Sequence, residues 1–241
     1  LAKALQPFPE KFRGLQDPDL RYRNRHIDLS VNDETKKIFF QRSSIINRLR
    51  EFMNDDGFLE VETPMLHPIP GGANAKPFIT KHNALDQEMY LRIAPELYLK
   101  RLLVGGFEKV YELNRSFRNE GISVRHNPEF TMLEFYAAYQ DYEWCMNFTE
   151  DLLKDVCESI VGRKELVWDD HKIDISVPFE RLSFEEAIHK YIPNLQDNSL
   201  ESKDEIISVL KSYGLTENID AKTMSKEVLT IHLFEGLVEE K

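Results

Sequence analysis

Apolar positions recur along this chain at two different periods, and the switches between them mark its elements. From Asp33, placed to cap a helix, Ile38, Ile45, Leu49, Phe52 and Met53 fall at helical spacing, and Gly57 supplies the stop. Phe58 to Glu62 reads as a strand closed by Thr63-Pro64. Pro68, Pro70, Gly71 and Gly72 predict a loop in which backbone can approach a ligand closely. Met89 to Ile93 is a short strand, and Pro95 with Gly105-Gly106 frames a helix over 95–104. Two strands, 109–118 and 129–137, flank a turn holding Gly121 and Pro128 and predict a long antiparallel hairpin.

After residue 140 helix signals dominate: 141–161, a capping box of Ser183 with Glu186, 201–213, and Ser225 onward, with a short paired strand around Ile173. The opening 1–25 carries Pro7, Pro9, Gly14 and Pro18 with no sustained period and reads as linker. The pattern is α+β, an antiparallel sheet flanked by helices. The expected divisions are a linker over 1–28, a sheet-bearing part over 29–162 and a largely helical continuation over 163–241.

Composition adds exclusions. The chain has 241 residues, 41% of them hydrophobic, enough for a sizeable core. No run approaches the ~18 apolar residues of a membrane span, and residues 1–10 lack a signal-peptide pattern, so a cytoplasmic protein with no membrane partner is expected. The net charge of -11 is uneven: residues 1–140 hold 19 acidic and 20 basic side chains, the rest 23 and 11. Contact with a nucleic acid is therefore expected from the front half or from sequence outside this chain. Cys145 and Cys157 fit no metal spacing and are expected to be free and buried. Arg21, Arg23, Arg25 and His26 are expected to pack and pair, and Asp169-Asp170-His171 reads as a turn; no metal ligands are assigned.

Chemistry concentrates on the hairpin. Residues two apart on a strand share a face, so Arg118 and Glu120 point together, as do Phe130, Met132, Glu134 and Tyr136, while Thr131, Leu133 and Phe135 can pack inward. Phe130 and Glu134 would lie roughly 13 Å apart, suiting an aromatic base at one end and a cation at the other.

These residues resemble a known family. Phe117-Arg118-Asn119-Glu120 with His126-Asn127-Pro128-Glu129-Phe130-Thr131 resembles the second signature motif of class II aminoacyl-tRNA synthetases, and Gly57 to Pro64 resembles the first. Ile69 to Ala73, Pro77 to Thr80 and Arg92 to Tyr98 are similar to lysyl-tRNA synthetases. The resemblance implies ATP, L-lysine and tRNA(Lys) as partners, Mg2+ accompanying ATP, and a homodimer through the first motif. It implies that Arg118, the catalytic residue, bridges the α-phosphate and the substrate carboxylate. Glu120 and Phe130 would hold adenine, with Met132 beside them, and His126 would reach the outer phosphates. Glu134 and Tyr136 would take the lysine ε-ammonium, and Glu96 with the backbone near Gly72 the α-ammonium.

The family's third motif, its magnesium carboxylates and its N-terminal OB-fold barrel find no match here. The expectation is a catalytic-domain fragment, weakly active or inactive, that stops before the third motif. Two other functions remain open: a synthetase-like lysyltransferase acting on a translation factor, and a non-catalytic synthetase paralogue.

Overall fold

The computed structural model describes residues 15–123, 126–163, 165–168, 171–192, 195, 199–216, 219–220 and 223–239. They fall into two compact units that meet in sequence between Val177 and Pro178.

The first unit opens with α1 (Pro18–Arg23) and α2 (Arg25–Val31), where an irregular linker was expected. Helices this short show no periodicity, yet α1 has its cap: Asp17 accepts from the Leu20 amide at 3.0 Å, and Pro18 follows it in the first turn. Two members of the basic run, Arg21 and Arg25, pair as expected, while Arg23 and His26 are exposed: fully buried Asp28 receives Arg21 Nε at 2.9 Å, Asn32 Nδ2 at 2.6 Å and a contact from Arg25. Burial opposes ionisation of Asp28, but the Asn32 and Arg21 bonds, the Arg21 charge and Thr35 outweigh it and hold the carboxyl down at about 2.

α3 (Asp33–Asp55) is capped one residue earlier than expected, at Asn32. Its apolar stripe joins the core only near its end, through Phe52 and Met53, while Ile38 and Phe40 are 63% and 73% exposed. β1 (Leu59–Glu60), β2 (Leu66–His67), β3 (Ile79–His82), β4 (Gln87–Leu91) and α4 (Glu96–Val104) follow, then β5 (Lys109–Phe117) and β6 (Glu129–Ala137). β5 and β6 pair antiparallel from Lys109↔Ala137 to Phe117↔Glu129. β1 adds to β5 in parallel, so the principal sheet is mixed rather than antiparallel as expected. The connection from β1 to β5, residues 61–108, passes through β2, β3, β4 and α4 and supplies the long crossover that a parallel pair needs. A second sheet, ordered β2-β4-β3, supports the loop at Gly71-Gly72.

Cross-strand register settles the two faces of the hairpin. Tyr111 and Leu113 pair opposite Phe135 and Leu133, and this face packs on Met53, Phe58 and Phe148. Phe148, on α5 (Tyr142–Val161), stacks on Trp144 at 4.8 Å and meets Phe58 at 5.3 Å and Phe135 at 5.1 Å. With this face committed to the core, the opposite face carries Phe130, Met132, Glu134 and Tyr136.

The buried stripe of α5 is Phe148, Leu152 and Val156, four residues apart. Cys145 precedes it in the first turns and is exposed, and Cys157 lies at its flank and is half-buried. Both are free, but the expected burial does not hold. β7 (Glu165–Trp168) and β8 (His171–Asp174) form the strand pair anticipated around Ile173; Asp169 and Asp170 lie outside the described residues.

The second unit holds α6 (Phe184–Tyr191), α7 (Lys203–Ser212) and α8 (Lys226–Leu237). Capping boxes at Ser183 with Glu186 and at Ser202 with Glu205 start the first two, and Ser225 caps the third. Ile188, Ile206, Leu210, Leu229 and Leu233 form its core. Among the described residues no helix is long and apolar enough to cross a membrane.

Candidate functional site

The open face of the hairpin carries Phe130, Met132, Glu134 and Tyr136 on β6, opposite Ser116, Asn114, Glu112 and Val110 on β5. Arg118 and Glu120 do not extend this stripe on a strand, as was expected: β5 ends at Phe117. The Arg118 amide still donates to Pro128 O at 2.9 Å, but the Asn119 amide turns to Lys76 O at 2.7 Å. The backbone thereby swings toward the glycine-bearing loop, and Glu120 Oε1 accepts from the Lys76 amide at 3.3 Å.

That swing closes one end of the site. Arg118, Glu120, Gly121, His126, Asn127 and Phe130 line a cavity of about 290 Å3. The Arg118 guanidinium lies over the Phe130 ring, Cζ 5.1 Å from its centroid. Among the described residues Arg118 Nε is buried with no hydrogen-bond acceptor, so the group is steered by the ring and keeps donors for an incoming oxygen. His126 Nδ1 lies 2.8 Å from Ser123 Oγ, which anchors the imidazole in the turn at the cavity edge. Met132 does not line this cavity; it sits further along the face, opposite Asn114.

Two residues beyond Met132 the face becomes acidic. Tyr136 donates its hydroxyl to Glu134 Oε1 at 2.9 Å. Burial raises the Glu134 pKa, the Tyr136 bond opposes that rise, and nearby Glu96 adds to it. Burial and the Glu134 carboxylate also raise the Tyr136 phenol, which stays protonated as a donor. α4 packs on β5 and β6 and brings Glu96 to this end; Lys100 Nζ bonds Glu96 at 2.6 Å and lies 5.9 Å from the Tyr136 ring centroid. Gly72 abuts the same helix start with φ at +90°, and a Cβ there would meet Glu96 Cβ at 3.0 Å. The candidate residues thus form two groups along one face, Arg118, Glu120, His126 and Phe130 at one end and Gly72, Glu96, Glu134 and Tyr136 at the other.

A buried cluster under the acidic end was not singled out in the sequence. Arg92, 1% exposed, donates from Nη1 to Glu112 Oε1 at 2.6 Å and to Thr63 Oγ1 at 3.0 Å, and from Nε to Arg115 O at 2.8 Å. Glu112, 2% exposed, also accepts from Thr63 Oγ1 at 2.6 Å and from Asn114 Nδ2 at 3.2 Å. The available signal was a charge in each of two apolar contexts, Leu91-Arg92-Ile93 and Tyr111-Glu112-Leu113. Among the described residues no group of three or more His, Cys, Asp or Glu side chains is arranged to hold a metal ion.

The family model described as tRNA synthetases class II (D, K and N) matches residues 17–230. Among similar proteins, one named lysine–tRNA ligase from Legionella pneumophila (strain Corby) is 55% identical over 239 residues, covering 99% of this chain and 48% of the relative. Its namesake in Cupriavidus taiwanensis is 56% identical over 218 residues, 90% of this chain and 42% of the relative. Another, from Variovorax paradoxus (strain S110), is 55% identical over 243 residues, 100% of this chain and 46% of the relative. The chain spans about half the length of these relatives. With the hairpin motif in place and the match running over most of its length, the chain belongs to the class II tRNA synthetases of the D, K and N family.

Proposed function

We propose that this chain carries the amino-acid-activating site of a lysine–tRNA ligase, which joins L-lysine to ATP as lysyl-adenylate and passes the lysyl group to tRNA(Lys). The observation that carries the reading is the order of groups along one strand face: an aromatic ring and guanidinium at one end, a half-buried carboxylate bonded by a tyrosine at the other. The names of the relatives point the same way.

In this reading Phe130 stacks on adenine and Glu120 accepts from its amino group, exchanging the Lys76 amide for the base. Met132 lies beyond the ring on the same face and fills the space between the two ends. Arg118 bridges the lysine carboxylate and the α-phosphate with its forked donors. A carboxylate oxygen of lysine attacks the α-phosphorus. The bond to the bridging oxygen breaks, and its electrons leave with pyrophosphate. No protein nucleophile is needed; Arg118 holds the two reactants in line and meets the charge that develops on the phosphoryl oxygens. His126 faces the outer phosphates.

Glu134 and Tyr136 receive the ε-ammonium, while Glu96 and the backbone at Gly72 hold the α-ammonium. A half-buried carboxylate selects lysine because an uncharged side chain would shield it further without pairing it. Mg2+ would arrive with ATP; the described residues offer it no ligand set, and no step is assigned to it. The exposed Ile38 and Ile45, seven residues apart on one face of α3, mark the surface through which the chain pairs with a second copy. The cytoplasm, where tRNA is charged, is the setting this reading requires.

The test is amino-acid-dependent exchange of labelled pyrophosphate into ATP by the full-length protein, scanned over all amino acids. Lysine is expected to support exchange, and exchange with aspartate or asparagine in its place would overturn the reading.

A further inference from the structure

Glu112 and Glu134 are direct cross-strand partners on the site face, which places their Cβ atoms roughly 5 Å apart. With Glu96 arriving from α4, three carboxylates approach one region, and like charges so placed repel. One buried cation stands among them. Arg92 spends its Nη1 on Glu112 and Thr63, and its Nε is fixed by the Arg115 carbonyl. Thr63 closes the ring by donating to Glu112 Oε2. Glu112 is thereby fully engaged, and among the described residues Glu134 keeps only the Tyr136 hydroxyl.

Resting on the proposed function, we infer that Arg92 and Glu112 are positioning residues for lysine selection: each occupies the other, so that the Glu134 carboxylate stays available to the substrate ammonium. The guanidinium and Glu112 cancel, and Glu96 is already bonded by Lys100, so among the described residues Glu134 is the carboxylate of this end that no cation bonds, open to the substrate side-chain ammonium. The arrangement is balanced on both sides. If Glu112 loses its charge, Arg92 turns its field on Glu134, the next carboxylate on that face, and competes with the substrate. If Arg92 is lost, Glu112 is left as a buried unpaired charge beside Glu134.

The sign of a double substitution separates this from a scaffold role. Binding of the non-hydrolysable lysyl-sulfamoyl-adenosine and of ATP is measured for the chain and for E112Q, which keeps the shape of the side chain and its bonds from Thr63. Lysyl-analogue affinity should fall about tenfold or more while ATP affinity holds. Adding R92M to E112Q then removes the freed cation and should restore most of the lost lysyl affinity. If the cluster were only scaffold, the second substitution would deepen the loss and ATP binding would fall with it; either result overturns the inference. Should E112Q not fold, R92K serves instead. It keeps the charge but cannot span all three partners, so the lysyl affinity should drop selectively, and equal losses for ATP and the lysyl analogue overturn the inference. Unmodified chain that fails to prefer the lysyl over the aspartyl and asparaginyl analogues removes the proposed function and the inference together. A chain that prefers the lysyl analogue while E112Q binds it unchanged removes the inference alone.

Discussion

Tyr136 donates to Glu134 from two residues along the same strand face, so the carboxylate is held by its own strand before any ligand arrives. The bond stabilises the ionised form that burial disfavours, and burial wins: the Glu134 pKa is raised. A lysine ammonium binds only the ionised carboxylate. Affinity for the lysyl analogue should therefore fall with decreasing pH, through a midpoint above the usual 4.5. The sign for the ligand-free fold is opposite. A raised carboxylate pKa means that the folded chain binds the proton more tightly than the unfolded one, so stability is lost as pH rises from 4.5 through the raised value. Glu134→Gln should remove both dependences and abolish lysyl preference, while ligand-free stability at neutral pH is kept or increased. Calorimetric titration and thermal melts across pH check this.

Arg118 is steered by Phe130 and keeps Nε free of any described acceptor. Arg118→Lys retains charge but loses the fork, and lysine-dependent pyrophosphate exchange should fall by about 100-fold or more, as when one preorganised donor is removed from a developing oxyanion. A drop in rate without loss of fold, followed by exchange kinetics and circular dichroism, is the expected outcome.

Phe130 is expected to carry adenine. Phe130→Ala should weaken ATP binding by about 1–3 kcal/mol, the range of a base–aromatic stack. Affinity for free lysine, read at the other end of the face, should change little. Paired titrations with ATP and with lysine distinguish the two ends.

At Gly72 a side chain is opposed twice, by φ at +90° and by Glu96 Cβ 3.0 Å from where its Cβ would sit. Gly72→Ala should cost about 1–3 kcal/mol in strain and push Glu96 from its place. Denaturant melts give the first quantity, and the lysyl-to-ATP affinity ratio gives the second.

Behind the hairpin, Phe148 touches Phe58, Phe135 and Trp144 and is 7% exposed. Phe148→Ala should destabilise the first unit by about 3–5 kcal/mol, measured by chemical denaturation.

The hairpin was legible in the sequence because its signals are local. Alternation separates Leu133 and Phe135 from Glu134 and Tyr136, and the structure uses the two faces in that way. Helix caps at Asp141, Ser183 and Ser225 were legible for the same reason. What escaped depends on segments far apart in the chain. Two-residue strands such as β1 and β2 carry no period, so the parallel edge and the second sheet could not be read. α1 and α2 are held largely by one buried carboxylate, Asp28, whose partners are set by the fold. The Arg92 cluster needs Thr63, Arg92 and Glu112 to meet, and no local pattern shows it. The departure of Arg118 and Glu120 from the strand follows from the hydrogen bond that the Asn119 amide donates to the Lys76 carbonyl, 43 residues earlier in the chain.

Selection of lysine by this face is tested most directly by titrating the chain with lysyl-, aspartyl- and asparaginyl-sulfamoyl-adenosine. The ATP half is common to all three, so differences report the Glu134 end alone. The lysyl analogue should bind at least about 100-fold more tightly than either of the others. Equal affinities, or preference for the aspartyl or asparaginyl analogue, would contradict the account.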